Sequence, residues 1–249
     1  MKPNVVLFDL HHTLTRTKES TNSMFRRIVG EFGIDISALS DSELTSAHAR
    51  SNDWLLRYQL ENNVGPDWGE RAEQWVEADR VMYEVLGVSG LSDASILEIE
   101  RRWKHEITSG AWESLHSEAK RVLSQLQSRG YLLGLCTRRY DDPTPLLKAL
   151  GIRDFFSVVT HSGVPGYAKP SPYILLRAAE ELHANPRLCT YVGNDAHADV
   201  EAARRAEMRS VLLVWANPDE GRIAQSDVTV LSSMNELLEF FPSALAPNQ

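Results

Sequence analysis

The sequence has few of the features that mark secreted or membrane-spanning proteins. Its 249 residues include two cysteines, Cys136 and Cys189, and both lie inside apolar runs. This placement indicates buried thiols in a reducing compartment, not a disulfide framework. No apolar run approaches the ~18 residues needed to span a bilayer, and the first residues do not have the pattern of a signal peptide. These absences predict a cytoplasmic protein with no membrane partner.

Positive charge is also scarce. Lysine and arginine number 26 against 34 aspartates and glutamates, for a net charge of −8. Because binding to a phosphate backbone usually needs a basic face, nucleic acid is not expected as a partner. An acidic protein can still bind a small anion in a locally positive pocket. The hydrophobic content of 43% and the charged content of 24% are ordinary for a globular protein.

Short apolar runs rich in β-branched residues predict buried strands. Each run is too short for a typical helix and lacks the alternation of a half-exposed strand. From residue 113 onward, helical patterns alternate with these runs, which predicts an α/β fold with a doubly wound, parallel, Rossmann-like sheet. The runs lie at 4–9, 131–137, 155–160, 188–193 and 210–215, and 227–231 is a weaker candidate for an edge strand.

Residues 16–112 interrupt this alternation. Their patterns predict four helices without an intervening strand, at 19–32, 43–61, 68–86 and 93–108. The sequence therefore predicts two domains. Residues 1–15 and 113–249 form an α/β core, and residues 16–112 form a helical domain inserted after the first strand.

Polar side chains follow the predicted strands where each strand ends. Asp9 follows the first strand, Thr137 the second and Asn194 with Asp195 the fourth, while Lys169 lies in the loop beyond the third. Ligands of open parallel sheets bind beyond the carboxyl ends of the strands. We therefore expect one carboxylate, one hydroxyl, one cation and one amide–acid pair to converge on a single crevice.

These residues belong to four motifs whose order resembles that of the haloacid dehalogenase superfamily of phosphohydrolases. The resemblance covers residues 4–15 and about 113–240, and the insert is similar to the helical C1-type cap of that family. The motifs are Asp9-Leu10-His11-His12-Thr13, the strand ending at Thr137, Lys169-Pro170, and Gly193-Asn194 with Asp199.

The resemblance implies a role for each position. Asp9 would be the nucleophile that forms an aspartyl-phosphate, which divides one difficult displacement into two easier steps. Mg²⁺ would be held by Asp9, the backbone carbonyl of His11 and the side-chain oxygen of Asn194. Lys169 would screen the negative charges, oriented by Asp199.

The phosphoryl oxygens would be held at the second motif. Thr137 and the backbone amides of residues 138 and 139 are the expected donors. Arg138, directly after Thr137, is a candidate substrate contact.

Two motif positions depart from the family pattern. His11 replaces the second aspartate, which acts as acid and base; histidine suits this work near neutral pH, but the role is alternatively lost or moved. Asn194 replaces a metal-binding aspartate and has one negative charge fewer, for which Asp195 could partly compensate. His12 and Glu207 also stand where glycine is usual.

The sequence therefore predicts a magnesium-dependent phosphohydrolase of a small phosphorylated metabolite. Two alternatives stay open: a catalytically weak binding or regulatory protein, and a hydrolase of phosphonate or dehalogenase type acting on carbon. The sequence leaves the identity of the substrate and the oligomeric state undetermined.

Overall fold

The computed structural model describes residues 4–224 and 226–243. The chain forms two compact units. The first comprises the chain up to Thr17 and from Glu113 onward, and the second comprises Lys18–Trp112. The first unit contains a parallel sheet with helices, and the second is helical.

Within the described residues, six strands form the sheet of the first unit, in the order β5-β4-β1-β6-β7-β8. All neighbouring strands in this sheet pair in parallel. The strands are β1 (Val5–Phe8), β4 (Leu132–Thr137), β5 (Val158–His161), β6 (Cys189–Gly193), β7 (Arg209–Leu213) and β8 (Thr229–Leu231). The predicted α/β fold with a parallel sheet is confirmed, and the edge strand β8 lies within the weaker candidate, 227–231.

Strand β1 lies between β4 and β6 and is buried on both faces. Val6 and Phe8 pack into one apolar cluster, whereas Val5 and Leu7 pack into the other. Gly134 in β4 allows this packing, because a Cβ there would lie 2.6 Å from the Leu7 side chain. Two hydrophobic cores, one on each face, explain why these strands show unbroken apolar runs.

Helices of the first unit follow the strands, as the alternating pattern predicts. They are α5 (Ala119–Ser128), α6 (Thr144–Ala149), α7 (Tyr173–Glu181), α8 (Ala198–Arg205), α9 (Glu220–Ile223) and α10 (Glu236–Phe240). The sequence did not predict a small antiparallel pair, β2 (Thr15–Thr17) with β3 (Glu113–Leu115). This pair joins the two places where the chain leaves and re-enters the first unit.

The second unit contains helices α1 (Thr21–Glu31), α2 (Asp41–Asn62), α3 (Val76–Val85) and α4 (Asp93–Thr108). Serine side chains cap the N-termini of α1, α2 and α4. The prediction that the third helix begins at residue 68 is wrong. Turns and a short 3₁₀ helix (Ala72–Gln74) precede it, and Gly69 adopts a φ of 95° that a helix cannot contain.

In the part of the chain that the structure describes, the helices are too short or too polar to traverse a bilayer.

Candidate active site

The carboxyl ends of β1, β4 and β6 lie at one edge of the sheet. Phe8 is in register with Leu135 on one side and with Val192 on the other. The Asp9 N–H continues this ladder by donating to the Val192 carbonyl at 2.9 Å. The register therefore brings Thr137, the last residue of β4, to the same edge as Asp9 and Asn194, which follow β1 and β6.

Asp9 forms a buried ion pair with Lys169. The Lys169 Nζ lies 2.6 Å from Asp9 Oδ1 and 2.5 Å from Asp199 Oδ1. The three side chains are 4–6% exposed. One cation thus bridges two carboxylates from different loops.

Burial and charge oppose each other in this group. Burial raises the pKa of the Asp9 carboxyl above its ordinary value, although Lys169 opposes that rise. Burial alone would lower the pKa of Lys169, but the carboxylates of Asp199 and Asp9 raise it above the ordinary lysine value. Lys169 is therefore a cation at neutral pH, and its charge favours the carboxylate form of Asp9.

Tyr191 completes the surroundings of Lys169 and was not predicted from the sequence. Its hydroxyl accepts a hydrogen bond from Lys169 Nζ at 2.9 Å and donates to the Cys136 carbonyl at 3.0 Å. The signal was present, since a tyrosine within a buried apolar strand needs a polar partner for its hydroxyl.

The second oxygen of Asp199 fixes the loop after β6. It accepts hydrogen bonds from the backbone N–H groups of Asn194 at 2.8 Å and Asp195 at 2.9 Å. A Cβ at Gly193 would overlap the Asp199 carboxylate, so this position requires glycine. Asp199 thereby links the Asn194 loop to Lys169.

Oxygen atoms suited to a hard cation meet near Thr13. Its hydroxyl donates to Asn194 Oδ1 at 3.1 Å and lies 3.4 Å from Asp9 Oδ2. Among the described residues there is no group of three or more His, Cys, Asp and Glu side chains that would hold a metal ion. A cation here would need amide and backbone oxygens and retained water beside the Asp9 carboxylate, which fits the preference of Mg²⁺.

The Asp195 carboxylate contacts the backbone at the start of α8. Its Oδ1 accepts hydrogen bonds from the N–H groups of His197 at 2.8 Å and Ala198 at 2.6 Å. This oxygen therefore satisfies N–H groups at the start of α8. Its predicted support of a cation stays a prediction.

The turn after Asp9 is closed by the backbone. The N–H groups of Thr13, Leu14 and Thr15 all point to the Leu10 carbonyl, at 2.9–3.3 Å. His12 has a φ of 58°, in the left-handed region that favours glycine. Trp215, also missed by the sequence analysis, donates from Nε1 to the Thr13 carbonyl at 3.0 Å.

His11 lies beside a buried carboxylate that the sequence did not identify. Its Nδ1 is 3.7 Å from Glu113 Oε1, and its side chain is 36% exposed. Glu113 is buried, at the start of β3. The His11 ring also packs edge-on against His12, with 4.1 Å between ring centroids.

The residues of the second motif differ in exposure. Thr137 is buried at the end of β4, whereas Arg138 is exposed. Arg139 turns to Glu113, with 2.5 Å between Nη1 and Oε1. The predicted substrate contacts of Thr137 and Arg138 stay predictions.

Comparison with known proteins identifies the family. A family model of haloacid dehalogenase-like hydrolases matches residues 3–207. The chain belongs to the haloacid dehalogenase-like hydrolase family. A phosphoglycolate phosphatase from Shigella boydii serotype 4 (strain Sb227) is 31% identical over 183 residues, covering 68% of this chain and 71% of that protein. Human haloacid dehalogenase-like hydrolase domain-containing protein 3 is 24% identical, covering 84% of this chain and 81% of that protein.

Solved structures share the fold of this haloacid dehalogenase-like hydrolase. A 2-haloacid dehalogenase from Pseudomonas syringae superposes with a TM-score of 0.67 at 18% identity, covering 94% of this chain and 96% of that chain. The HAD-hydrolase YfnB from Bacillus subtilis gives a TM-score of 0.66 at 18% identity, covering 96% and 99%. Similarity at this level of identity establishes the fold alone.

Proposed function

We propose that this haloacid dehalogenase-like hydrolase is a phosphatase that cleaves a small phosphorylated metabolite through an aspartyl-phosphate on Asp9. Two findings support the proposal. The residues of the four motifs meet at one edge of the sheet, and a relative 31% identical over 183 residues is a phosphoglycolate phosphatase.

The observation that carries the proposal is the pairing of Asp9 with Lys169. Oδ1 of Asp9 is held by the cation at 2.6 Å, and Oδ2 faces Thr13. A carboxylate fixed by one oxygen presents the other as a nucleophile, while Lys169 reduces the repulsion between Asp9 and an incoming phosphate.

The chemistry then takes two steps. In the first, Asp9 Oδ2 forms a bond to phosphorus, the bond from phosphorus to the ester oxygen breaks, and His11 gives a proton to that oxygen. In the second, a water oxygen attacks phosphorus, His11 takes a proton from the water, and the bond to Asp9 breaks. Thr137 and the amides that follow it would hold the phosphoryl oxygens.

Mg²⁺ would complete the site. Asp9, the backbone carbonyl of His11 and the Asn194 side chain would hold it, and when bound it would neutralise charge on the phosphate. Because the Asn194 oxygen is an uncharged ligand, we expect weaker binding of Mg²⁺ than an aspartate would give at this position.

The helical unit, Lys18–Trp112, would serve as the cap that excludes water and selects the leaving group. A cytoplasmic location and the absence of a nucleic-acid partner remain predictions from composition.

A panel of phosphate esters that includes phosphoglycolate tests the proposal. We expect Mg²⁺-dependent release of phosphate by the wild type, and loss of turnover with retained folding in Asp9→Asn. Asp154→Asn makes the same change at an exposed position of the same unit and should leave turnover unchanged. Mass spectrometry should find an acid-labile phosphate on Asp9 in the wild type only.

A binding or regulatory role is the second candidate, because His11 and Asn194 both replace carboxylates. It would be favoured if no ester is hydrolysed even with excess Mg²⁺. His11→Asp distinguishes the two roles of the histidine. Slower hydrolysis in this variant identifies His11 as the proton carrier. Much faster hydrolysis shows that His11 carries out proton transfer less well than an aspartate. Release of halide or aldehyde in place of phosphate would indicate chemistry at carbon.

A further inference from the structure

Glu113 is a buried charge with well-defined neighbours. Its Oε2 accepts a hydrogen bond from the Thr15 hydroxyl at 2.8 Å, and its Oε1 accepts one from Arg139 at 2.5 Å. The side chain is fully buried, and Arg139 is 11% exposed. A carboxylate held at both oxygens in a buried site has little freedom to rotate.

This fixed carboxylate faces the imidazole of His11. The 3.7 Å between His11 Nδ1 and Glu113 Oε1 is an ion-pair distance, longer than a hydrogen bond. A small rotation of the half-exposed imidazole would bring Nδ1 within hydrogen-bond distance of Oε1. His12 packs edge-on against the ring and restricts larger rotations.

The orientation matters because a histidine has two distinct nitrogens. When Nδ1 faces a carboxylate, the proton of the neutral ring stays on Nδ1, and Nε2 is left to exchange protons with a substrate. An aspartate at position 11 would need no such partner, since its two oxygens are equivalent. A histidine at position 11 therefore requires a partner for Nδ1 that an aspartate would not, and Glu113 lies in the position to be that partner.

We propose that Glu113, fixed by Arg139 and Thr15, is a positioning residue that orients the His11 imidazole and keeps the Nδ1–H tautomer. This inference rests on the proposed phosphatase function for its catalytic consequence, but the tautomer itself does not depend on it. In this proposal, Arg139 binds Glu113 and not the substrate.

The ring nitrogens of His11 report the tautomer directly. In the ¹⁵N-labelled wild type, at a pH where the ring is neutral, long-range ¹H–¹⁵N spectra should show the proton on Nδ1, with the signals assigned by their loss in His11→Gln. In Glu113→Gln, which keeps the shape of the side chain, we expect a mixture of tautomers. A wild-type ring protonated on Nε2, or a tautomer unchanged in Glu113→Gln, would overturn the proposal.

Turnover supplies the second measurement. In Glu113→Gln, kcat should fall by about ten- to a hundredfold, with KM little changed. The expected loss is a part of the rate enhancement of about 10²–10⁴-fold that general acid–base catalysis contributes. Glu239→Gln, an exposed position of the same unit, is the control and should match the wild type. If Glu113→Gln fails to fold, the wild-type spectrum still tests the proposal, because a ring protonated on Nε2 would overturn it.

The two proposals fail in different ways. If no phosphate ester is hydrolysed but the Nδ1–H tautomer is present and depends on Glu113, the proposed function fails and the positioning role stands. If esters are hydrolysed but the tautomer is Nε2–H, the positioning role fails alone.

Discussion

Replacing Glu113 with glutamine should change how stability depends on pH. Although burial alone would raise the pKa of Glu113, its contacts with His11 and Arg139 lower it from 4.5 to about 2. A carboxyl with a lowered pKa in the folded state contributes stability above its unfolded pKa, and this contribution is lost as the pH falls towards 2. The difference between the two pKa values corresponds to about 3 kcal/mol at pH 7, of which about 2 kcal/mol is lost by pH 3.

Urea unfolding of the wild type and of Glu113→Gln between pH 7 and pH 3 measures this contribution. We expect the wild type to exceed the variant by about 3 kcal/mol in free energy of unfolding at pH 7, and this difference to shrink as the pH falls. A difference that stays constant with pH would refute the lowered pKa of Glu113 in the folded state.

Glu201 provides a matched control. Its pKa is also lowered to about 2, by hydrogen bonds with Arg204 and Arg205, but these ion pairs lie at the surface, with the two arginines 65% and 48% exposed. Water and salt screen such pairs. We therefore expect Glu201→Gln to change the pH dependence much less, and any effect to disappear at high salt, whereas the effect of Glu113→Gln should persist.

Three further predictions follow from the site and the helix that supports it. Lys169→Met leaves Asp9 and Asp199 as buried carboxylates without their cation, so the free energy of unfolding should fall by about 3–5 kcal/mol at pH 7. The loss should shrink as the pH falls, because burial raises the pKa of Asp9 and its protonated form needs no cation. An equal loss at all pH values in urea unfolding would contradict this. Asn194→Asp adds a charged oxygen, so calorimetry should show Mg²⁺ binding on the order of tenfold tighter, and unchanged affinity would show that position 194 is not a ligand. Glu207 follows the end of α8 with a φ of 54°, and its carboxylate forms an exposed ion pair with Arg187. Because the relief of backbone strain should exceed the loss of this exposed pair, Glu207→Gly should raise the free energy of unfolding by about 0.5–1 kcal/mol. A less stable variant would argue against backbone strain there.

The strands of the parallel sheet could be predicted because a strand buried on both faces has an unbroken run of apolar residues. Every predicted run contains or overlaps an observed strand, from β1 (Val5–Phe8) to the edge strand β8 (Thr229–Leu231). The strands β2 and β3 contain no such apolar run. They have three residues each and are mostly polar. The central partners, Arg16 and Ser114, are 98 positions apart, so the pairing depends on the tertiary fold.

The residues of the site also divide into those that the sequence predicted and those that it did not. The ends of the strands indicated Asp9 and Lys169, since a parallel sheet brings such positions together, and the family resemblance indicated Asp199. Glu113 gave no signal, because a single acidic residue after an aromatic one is common at surfaces. Its burial follows from the β2–β3 pair and from Arg139, and neither contact has a sequence pattern.

The two oxygens of Asp199 hold different parts of the site, one the Lys169 ammonium group beside Asp9 and the other the backbone after β6. A shift in either part is therefore transmitted to its counterpart. Over evolution, substitutions of Asp199 or Gly193 would alter the surroundings of Asp9 and the loop after β6 together, and would rarely be tolerated. Independent tuning of the proposed Mg²⁺ affinity is left to side chains outside this link, and the amide of the Asn194 side chain is one of them.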